Sequence, residues 1–225
     1  NGFDRLIVFG PQMTCLLSTF LMRKFKGRFI IDYRDLSIEQ KPGFRQLFAL
    51  MTRMSYANVV SSPGFIRCLP KRDYYLSHNF DVDAVRKNIG SRNTAGFGSS
   101  ENIDILTIGG IRDFSSNVEV VKALANDKNF SVRFVGSGGG ATLLAAYIEE
   151  HDIKNVSFKG FYQKHEEAGY VQSSTFLNIF YPRVITHDTA LSNRFYNSLI
   201  YRKPMIVTKN TMQGDYAEKY NIGVA

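Results

Sequence analysis

From Asn102 to Ala225 the chain repeats one pattern: a short apolar run that reads as a buried strand, a loop, and a longer amphipathic stretch that reads as a helix. Strands are expected near 103–108, 132–136, 156–160, 176–180 and 205–208, and helices near 117–126, 141–151, 165–172, 193–202 and 214–220. A strand followed by a helix cannot close as a hairpin. The helix returns the chain to the start of the next strand, so the strands run parallel and the crossovers are right-handed. The same rhythm fills the earlier part, with strands at 5–9, 29–33, 58–62 and 74–78 and helices at 12–25, 44–57 and 64–69. The pattern predicts an α/β protein with two α/β/α layered domains.

Between Asp81 and Ser100 the composition shifts to Gly, Ser, Asn and Arg with few large apolar groups, which is a linker composition. We therefore expect a first domain over 1–85, a linker over 86–101 and a second domain over 102–225. With 44% hydrophobic and 13% aromatic residues in 225, the chain can bury one large core or two modest ones. Only about four strands precede the linker, so the first domain is expected to be incomplete.

The net charge of +8 admits nucleic acid, an anionic membrane surface or a phosphorylated small molecule as a partner. Nucleic acid is disfavoured, because no recognition helix, zinc finger, KH or RNP signature is present. The basic residues are dispersed except at Arg23–Arg28 and Lys71-Arg72. The first cluster ends an apolar helix, where it either rests on acidic lipid or simply complements the helix dipole. The apolar run Cys15–Met22, interrupted by Ser18 and Thr19, is far short of the about 20 residues that span a bilayer. Cys15 and Cys68 lie in apolar surroundings without metal-ligand spacing, as reduced thiols of a cytoplasmic protein do. The expected location is cytoplasmic, with peripheral contact at the inner membrane face.

The segment Thr175–Ala225 builds an anion site. Phe176–Phe180 reads as a buried strand, a polar loop covers 181–190, and Ser192 and Asn193 can cap a helix over 193–201 whose first turn carries Arg194. A helix opening at the carboxyl end of a parallel strand aims backbone N–H groups and partial positive charge into the crevice above the sheet. Arg194 would add a bidentate contact to phosphate oxygens, against the plainer reading of a capped helix with a surface arginine.

The run from Ser192 to Val207, then Tyr220–Ala225, resembles the donor-binding region of two-Rossmann-domain (GT-B fold) glycosyltransferases. It is most similar to the group-4-like enzymes of bacterial surface polysaccharide biosynthesis. Matches upstream keep the same order, at Ile105–Arg112, Val132–Gly138 and Val156–Gly160. The resemblance covers most of 103–225, with a weaker echo in 29–80. It implies two Rossmann-like domains, the second binding a nucleoside-diphosphate sugar, without a metal or other cofactor.

Carried over to these positions, the resemblance places Gly109, Gly110 and Arg112 beside the donor diphosphate. Phe161 and Tyr162 then lie where the base is held, although core aromatics are as common. Ser192, Asn193 and Arg194 sit at the phosphate-binding helix. Gly136-Ser-Gly138-Gly-Gly140-Ala141 also matches a dinucleotide fingerprint, but the next strand ends in Lys159-Gly160 where that fingerprint wants an acid. A structural turn near the nucleotide, with Gly136 beside the donor, fits better. Retaining relatives carry glutamates at positions that here are Asn197 and Thr189, so Asn197 would meet the ribose with an amide, and His187 or Asp188 could face the sugar.

Asp32 and Asp35 end the strand 29–33, where an inverting enzyme needs a carboxylate to take the acceptor proton. Asp35 is the candidate base. The competing account pairs Arg34 with one of the two aspartates as a loop brace. His78 approaches the donor or caps the hinge. No nucleophile elbow, Walker loop or metal-ligand cluster is present. The resemblance implies transfer of a sugar from a nucleoside-diphosphate sugar, with uridine favoured as the base, to a saccharide or lipid-linked saccharide acceptor in surface polysaccharide synthesis. A non-catalytic nucleotide-sugar binder and a sugar-nucleotide epimerase are the alternatives.

Overall fold

The computed structural model describes residues 2–90 and 102–225. The chain divides into unit 1, residues 1–79 with 188–191, and unit 2, residues 80–187 with 192–225.

Unit 1 holds four parallel strands, β1 (Leu6–Phe9), β2 (Phe29–Tyr33), β3 (Ala57–Val60) and β4 (Tyr75–Leu76), side by side in chain order. β2 is buried almost throughout, as a continuous apolar run in a central strand should be, whereas edge strand β1 leaves Ile7 and Phe9 exposed. The expected helix over 12–25 is two short ones, α1 (Gly10–Leu16) and α2 (Ser18–Lys24). Pro11 fixes the first turn of α1, and Leu17 breaks helical geometry between the two at φ −89°, ψ 8°. Helix α3 (Pro42–Met54) follows β2 and packs Phe48 and Met51 into the core with Ile31, Tyr33, Phe65 and Leu69. Tyr33 meets Phe65 edge-on at 5.3 Å. Residues 188–191 join this unit, since Ser62 Oγ donates to the Thr189 carbonyl at 2.5 Å and Ala190 packs against the core.

Unit 2 opens with α4 (Val82–Asn88), capped by Asp81, which accepts from the Ala84 N–H at 2.9 Å. Residues 86–88 of the expected linker lie in this helix, and 91–101 lie outside the described residues. The six parallel strands are β5 (Ile103–Gly110), β6 (Phe130–Ser137), β7 (Val156–Lys159), β8 (Phe176–Ile179), β9 (Met205–Val207) and β10 (Gly223–Val224), in the order β10-β9-β8-β5-β6-β7. Helices α5 (Phe114–Leu124) and α6 (Gly139–Glu150) pack together where the chain winds outward from β5 to β7. The chain then returns through α7 (Glu167–Ser173) to β8 and winds the other way, through α8 (Ile185–Thr189), α9 (Asn193–Tyr201) and α10 (Met212–Tyr220). Right-handed crossovers in opposite directions put the two helix sets on opposite faces and open a switch point between β5 and β8. Among the described residues no helix is long and apolar enough to cross a membrane.

Candidate functional site

The switch point is where a doubly wound sheet leaves room for a ligand beyond its strand ends. In unit 2 a cleft of about 430 Å³ lies to one side of that point, over the carboxyl ends of β5 and β6 and the loop after β7, lined by Gly109, Gly110, Gly136, Ser137, Phe161, Tyr162, Gln163 and Lys164. Five of these, Gly109, Gly110, Gly136, Phe161 and Tyr162, are residues that the sequence analysis places at a donor site; Ser137, Gln163 and Lys164 are additional.

The glycines are there for steric reasons. Gly136 has φ +132°, and a Cβ on it would lie 2.0 Å from the Gly109 carbonyl oxygen. Gly109 itself has φ +94°. Side chains at either position would strain the backbone, and at Gly136 would drive the ends of β5 and β6 apart. The result is a floor of bare backbone. Gly140 belongs to the same packing, since a Cβ on it would meet the Arg112 carbonyl oxygen at 3.0 Å. The glycine run therefore presses one strand–helix turn against the next.

Two arginines flank this edge and behave differently. Arg112, just beyond β5, is exposed, and its Nε would lie 3.4 Å from a Cβ on Gly110. Arg194, in the first turn of α9, is only 6% exposed. Its Nε donates to the Ile108 carbonyl at 2.5 Å, Nη2 to the Gly110 carbonyl at 2.7 Å and Nη1 to the Asn178 carbonyl at 3.4 Å. The bidentate fork expected for phosphate is thus turned onto the ends of β5 and β8. Its physical reason is burial: a guanidinium removed from water needs acceptors, and the carbonyls at the switch point supply them. Asn178, fully buried, continues the network to Thr107 Oγ1 at 2.9 Å.

Ser192 caps α9 by accepting from the Phe195 N–H at 3.3 Å, while its own Oγ and N–H both donate to Gln213 Oε1, at 2.7 and 3.0 Å. Asn193 is the first residue of α9 and does not cap it. Gln213, in the first turn of α10, is buried and had no signal in the sequence beyond its place near a helix start. His187 lies against the Tyr181 ring at 4.9 Å, with Nδ1 3.2 Å from the Pro182 carbonyl oxygen.

On the far wall Phe161 is 75% exposed and presents a ring beside the cleft. Tyr162 donates its hydroxyl to Glu167 Oε2 at 2.7 Å. Asn197 Nδ2 donates to Glu167 Oε1 at 3.0 Å, and Lys164 Nζ pairs with the same oxygen. Burial acts to raise the Glu167 carboxyl, but the bonds from Lys164, Tyr162 and Asn197 outweigh it and hold the group below its ordinary 4.5. Burial first, and the bond to Glu167 second, push the Tyr162 phenol up.

In unit 1, Asp32 at the end of β2 is 7% exposed and is held by Arg34, whose Nε lies 2.7 Å from Oδ1 and whose Nη2 donates to Oδ2 at 2.8 Å. The Nε approach lacks hydrogen-bond alignment, which leaves Oδ1 without a formal donor. Of the two expected pairings, Arg34 takes Asp32, and Asp35 remains exposed. His78 is exposed near the end of the unit. Beneath Asp32, Glu39 is buried and accepts from the Tyr33 hydroxyl at 2.6 Å and from the Ser37 N–H at 2.9 Å.

No family model and no curated protein matches this sequence. Solved structures do. The chain is similar to Anabaena HepE in complex with UDP and glucose, at 13% identity and a TM-score of 0.61, covering 95% of this chain and 61% of that one. It is similar to the lipopolysaccharide outer core galactosyltransferase WaaB in its apo form, at 17% identity and a TM-score of 0.59, covering 91% and 56%. It is also similar to the UDP-GlcNAc 2-epimerase from Neisseria meningitidis bound to UDP-GlcNAc, at 13% identity and a TM-score of 0.53, covering 99% and 64%. The chain thus spans between 56% and 64% of the length of these relatives. At such identities the likeness is one of fold, and the fold is mixed α/β with parallel sheets of the Rossmann-like GT-B kind.

Proposed function

We propose that unit 2 binds a nucleoside-diphosphate sugar, UDP-linked, in the cleft at the end of β5, and that the protein transfers that sugar to a saccharide or lipid-linked saccharide. The observation that carries this reading is the glycine floor of Gly109, Gly110 and Gly136 at the ends of β5 and β6, in a cleft that the exposed Phe161 also lines. Bare backbone admits a diphosphate closely, and an exposed aromatic face suits a base. The fold neighbours support it, since one holds UDP and glucose and another is a galactosyltransferase.

In this reading Arg112 and the opening of α9 at Ser192 and Asn193 offset charge on the departing diphosphate, while Arg194 braces the strand ends that carry Gly109 and Gly110. Asp35 takes the acceptor proton, with Asp32 fixed by Arg34 and His78 in the same unit. The exposed apolar residues Met13, Leu16 and Phe20, followed on α2 by Arg23 and Lys24, suit peripheral contact with an anionic membrane that carries the acceptor. Epimerisation of the sugar nucleotide is the second reading, favoured by the likeness to the Neisseria epimerase.

Calorimetric titration with UDP, GDP, CMP and NAD tests the ligand, and product analysis with UDP-sugars tests the reaction. UDP binding together with acceptor-dependent sugar release is expected. Altered donor configuration without acceptor would establish the epimerase, and binding without turnover a non-catalytic binder. Absence of UDP binding would remove the proposal.

A further inference from the structure

We propose that one face of the unit 1 sheet is a self-association surface, on which a second copy of this chain packs face to face; the inference is independent of what the cleft of unit 2 binds. The register of the four strands sorts their side chains onto two faces. Val8, Phe29, Ile31, Tyr33 and Val60 share one face and form the core with Phe48 and Met51 of α3. The aligned residues between them share the other: Ile7 with Ile30 and Ala57, then Phe9 with Asp32, Val59 and Tyr75. None of the apolar residues in that second set belongs to the core that the helices close. Ile7, Phe9 and Tyr75 are 59%, 63% and 66% exposed.

The winding explains the imbalance. Every step from β1 to β4 moves the same way across the sheet, and right-handed crossovers that move one way put their helices on one face. Parallel sheets are ordinarily covered on both faces. An apolar face left in water favours association.

A second copy supplies a surface of the same size and chemistry, and a two-fold axis makes the contact isologous. Charge chooses the axis. Arg5, Lys26, Arg28, Arg53, Lys71 and Arg72 are exposed around the amino ends of the strands, against Asp4 and Asp73. The carboxyl ends carry Asp35 and the pair of Asp32 with Arg34. Stacking two copies with their strands parallel would set the basic ends together, whereas antiparallel stacking separates them. It also lays the row of Phe9, Val59 and Tyr75 on the Ile7, Ile30 and Ala57 row of the second copy. Asp32 lies on this face but is already held by Arg34, so no unpaired charge is buried.

The area sets the strength. An aromatic side chain carries about 150–250 Å², so Phe9 and Tyr75 offer on the order of 100–160 Å² each at their observed exposure. With the smaller residues each copy contributes roughly 500 Å², and a total of about 1,000 Å² is the lower end for a specific interface. The expected dimer is weak, with a Kd of about 10–100 µM.

Sedimentation velocity of the full chain over about 1–300 µM tests this, and a monomer–dimer equilibrium is expected. Phe9→Glu and Tyr75→Glu, both at exposed positions, should each weaken it by about tenfold or more while urea midpoints hold. Leu16→Glu, equally exposed but on α1 at the helix-covered side, should leave the Kd within about twofold. Reversing Lys26→Glu and Lys71→Glu together should change it by less than about threefold, because the amino ends lie apart. A monomer throughout the range overturns the proposal, as does association that survives both glutamates on the sheet or that Leu16→Glu also abolishes. Tightening of about tenfold by the paired reversal overturns the antiparallel arrangement. UDP titration of unit 2 is unaffected by any of these outcomes.

Discussion

The two parallel sheets finish their strands in opposite ways. In unit 2 the ends of β5 and β6 carry glycine, and the space above Gly109, Gly110 and Gly136 stays open as a cleft. In unit 1 the end of β2 is filled by side chains that answer one another, Arg34 with Asp32 and Glu39 with Tyr33 and Ser37. One edge leaves an open cleft; the other uses its polar groups to hold its own loop. The same contrast separates the two arginines of unit 2, since Arg112 is exposed beside the floor while Arg194 is buried beneath it. Charge near a site is therefore a poor guide to ligand contact until burial and hydrogen bonding are known.

The sharpest way to break the contrast is to give the floor a side chain. Gly136→Val is expected to cost roughly 3–5 kcal/mol, because its Cβ would lie 2.0 Å from a carbonyl oxygen at a φ that valine avoids. Urea unfolding of the purified variant reads that loss, and UDP titration should show binding gone. Next in size, Arg194→Ala leaves the carbonyls of Ile108, Gly110 and Asn178 without their donor and should lower stability by about 2–4 kcal/mol. Arg112→Ala should leave stability within about 0.5 kcal/mol while UDP affinity falls about tenfold. Equal stability losses in the two arginine variants would erase the distinction between brace and contact.

The smallest effect is a pH dependence. Glu167 and Asp113 both titrate below their ordinary values of 4.5 and 3.8 in the folded protein. For Asp113, burial opposes the shift and the Ser116 and Ser115 hydroxyls and N–H groups outweigh it. Carboxyls depressed by folding contribute stability that is fully present above their unfolded pKa and lost as pH falls through the folded one. Urea midpoints should hold constant above pH 5 and decline below about pH 4. In Glu167→Gln the decline should be shallower, since one of the two groups no longer titrates.

Much of the fold was legible because it depends on local pattern. The mostly apolar run Phe29–Tyr33 and the Ser192 cap before Asn193 are features a few residues long, and both appear where the sequence puts them. Helix α4 was hidden because none of its residues is buried; Asp81 is its cap, and Phe80 beside it meets Tyr196 at 6.1 Å, a contact that only tertiary structure creates. β10 is two residues long and is defined by pairing with Met205 and Ile206 rather than by any run of its own. The same division holds at the cleft. Glycines after a strand declare themselves, but the burial of Arg194 against strand carbonyls was not legible, because its partners Ile108 and Gly110 lie more than eighty residues earlier. Nothing near Glu167 in the sequence marks its bond to Asn197, which lies 30 residues on.

Hydrogen exchange of the protein with and without saturating UDP tests the central claim, that a nucleoside diphosphate lies on the glycine floor of unit 2. The account predicts slowed exchange at residues 109–112, 136–140 and 161–164, with unit 1 strands β1 to β3 unchanged. Protection confined to unit 1, or no protection anywhere at saturation, would contradict it.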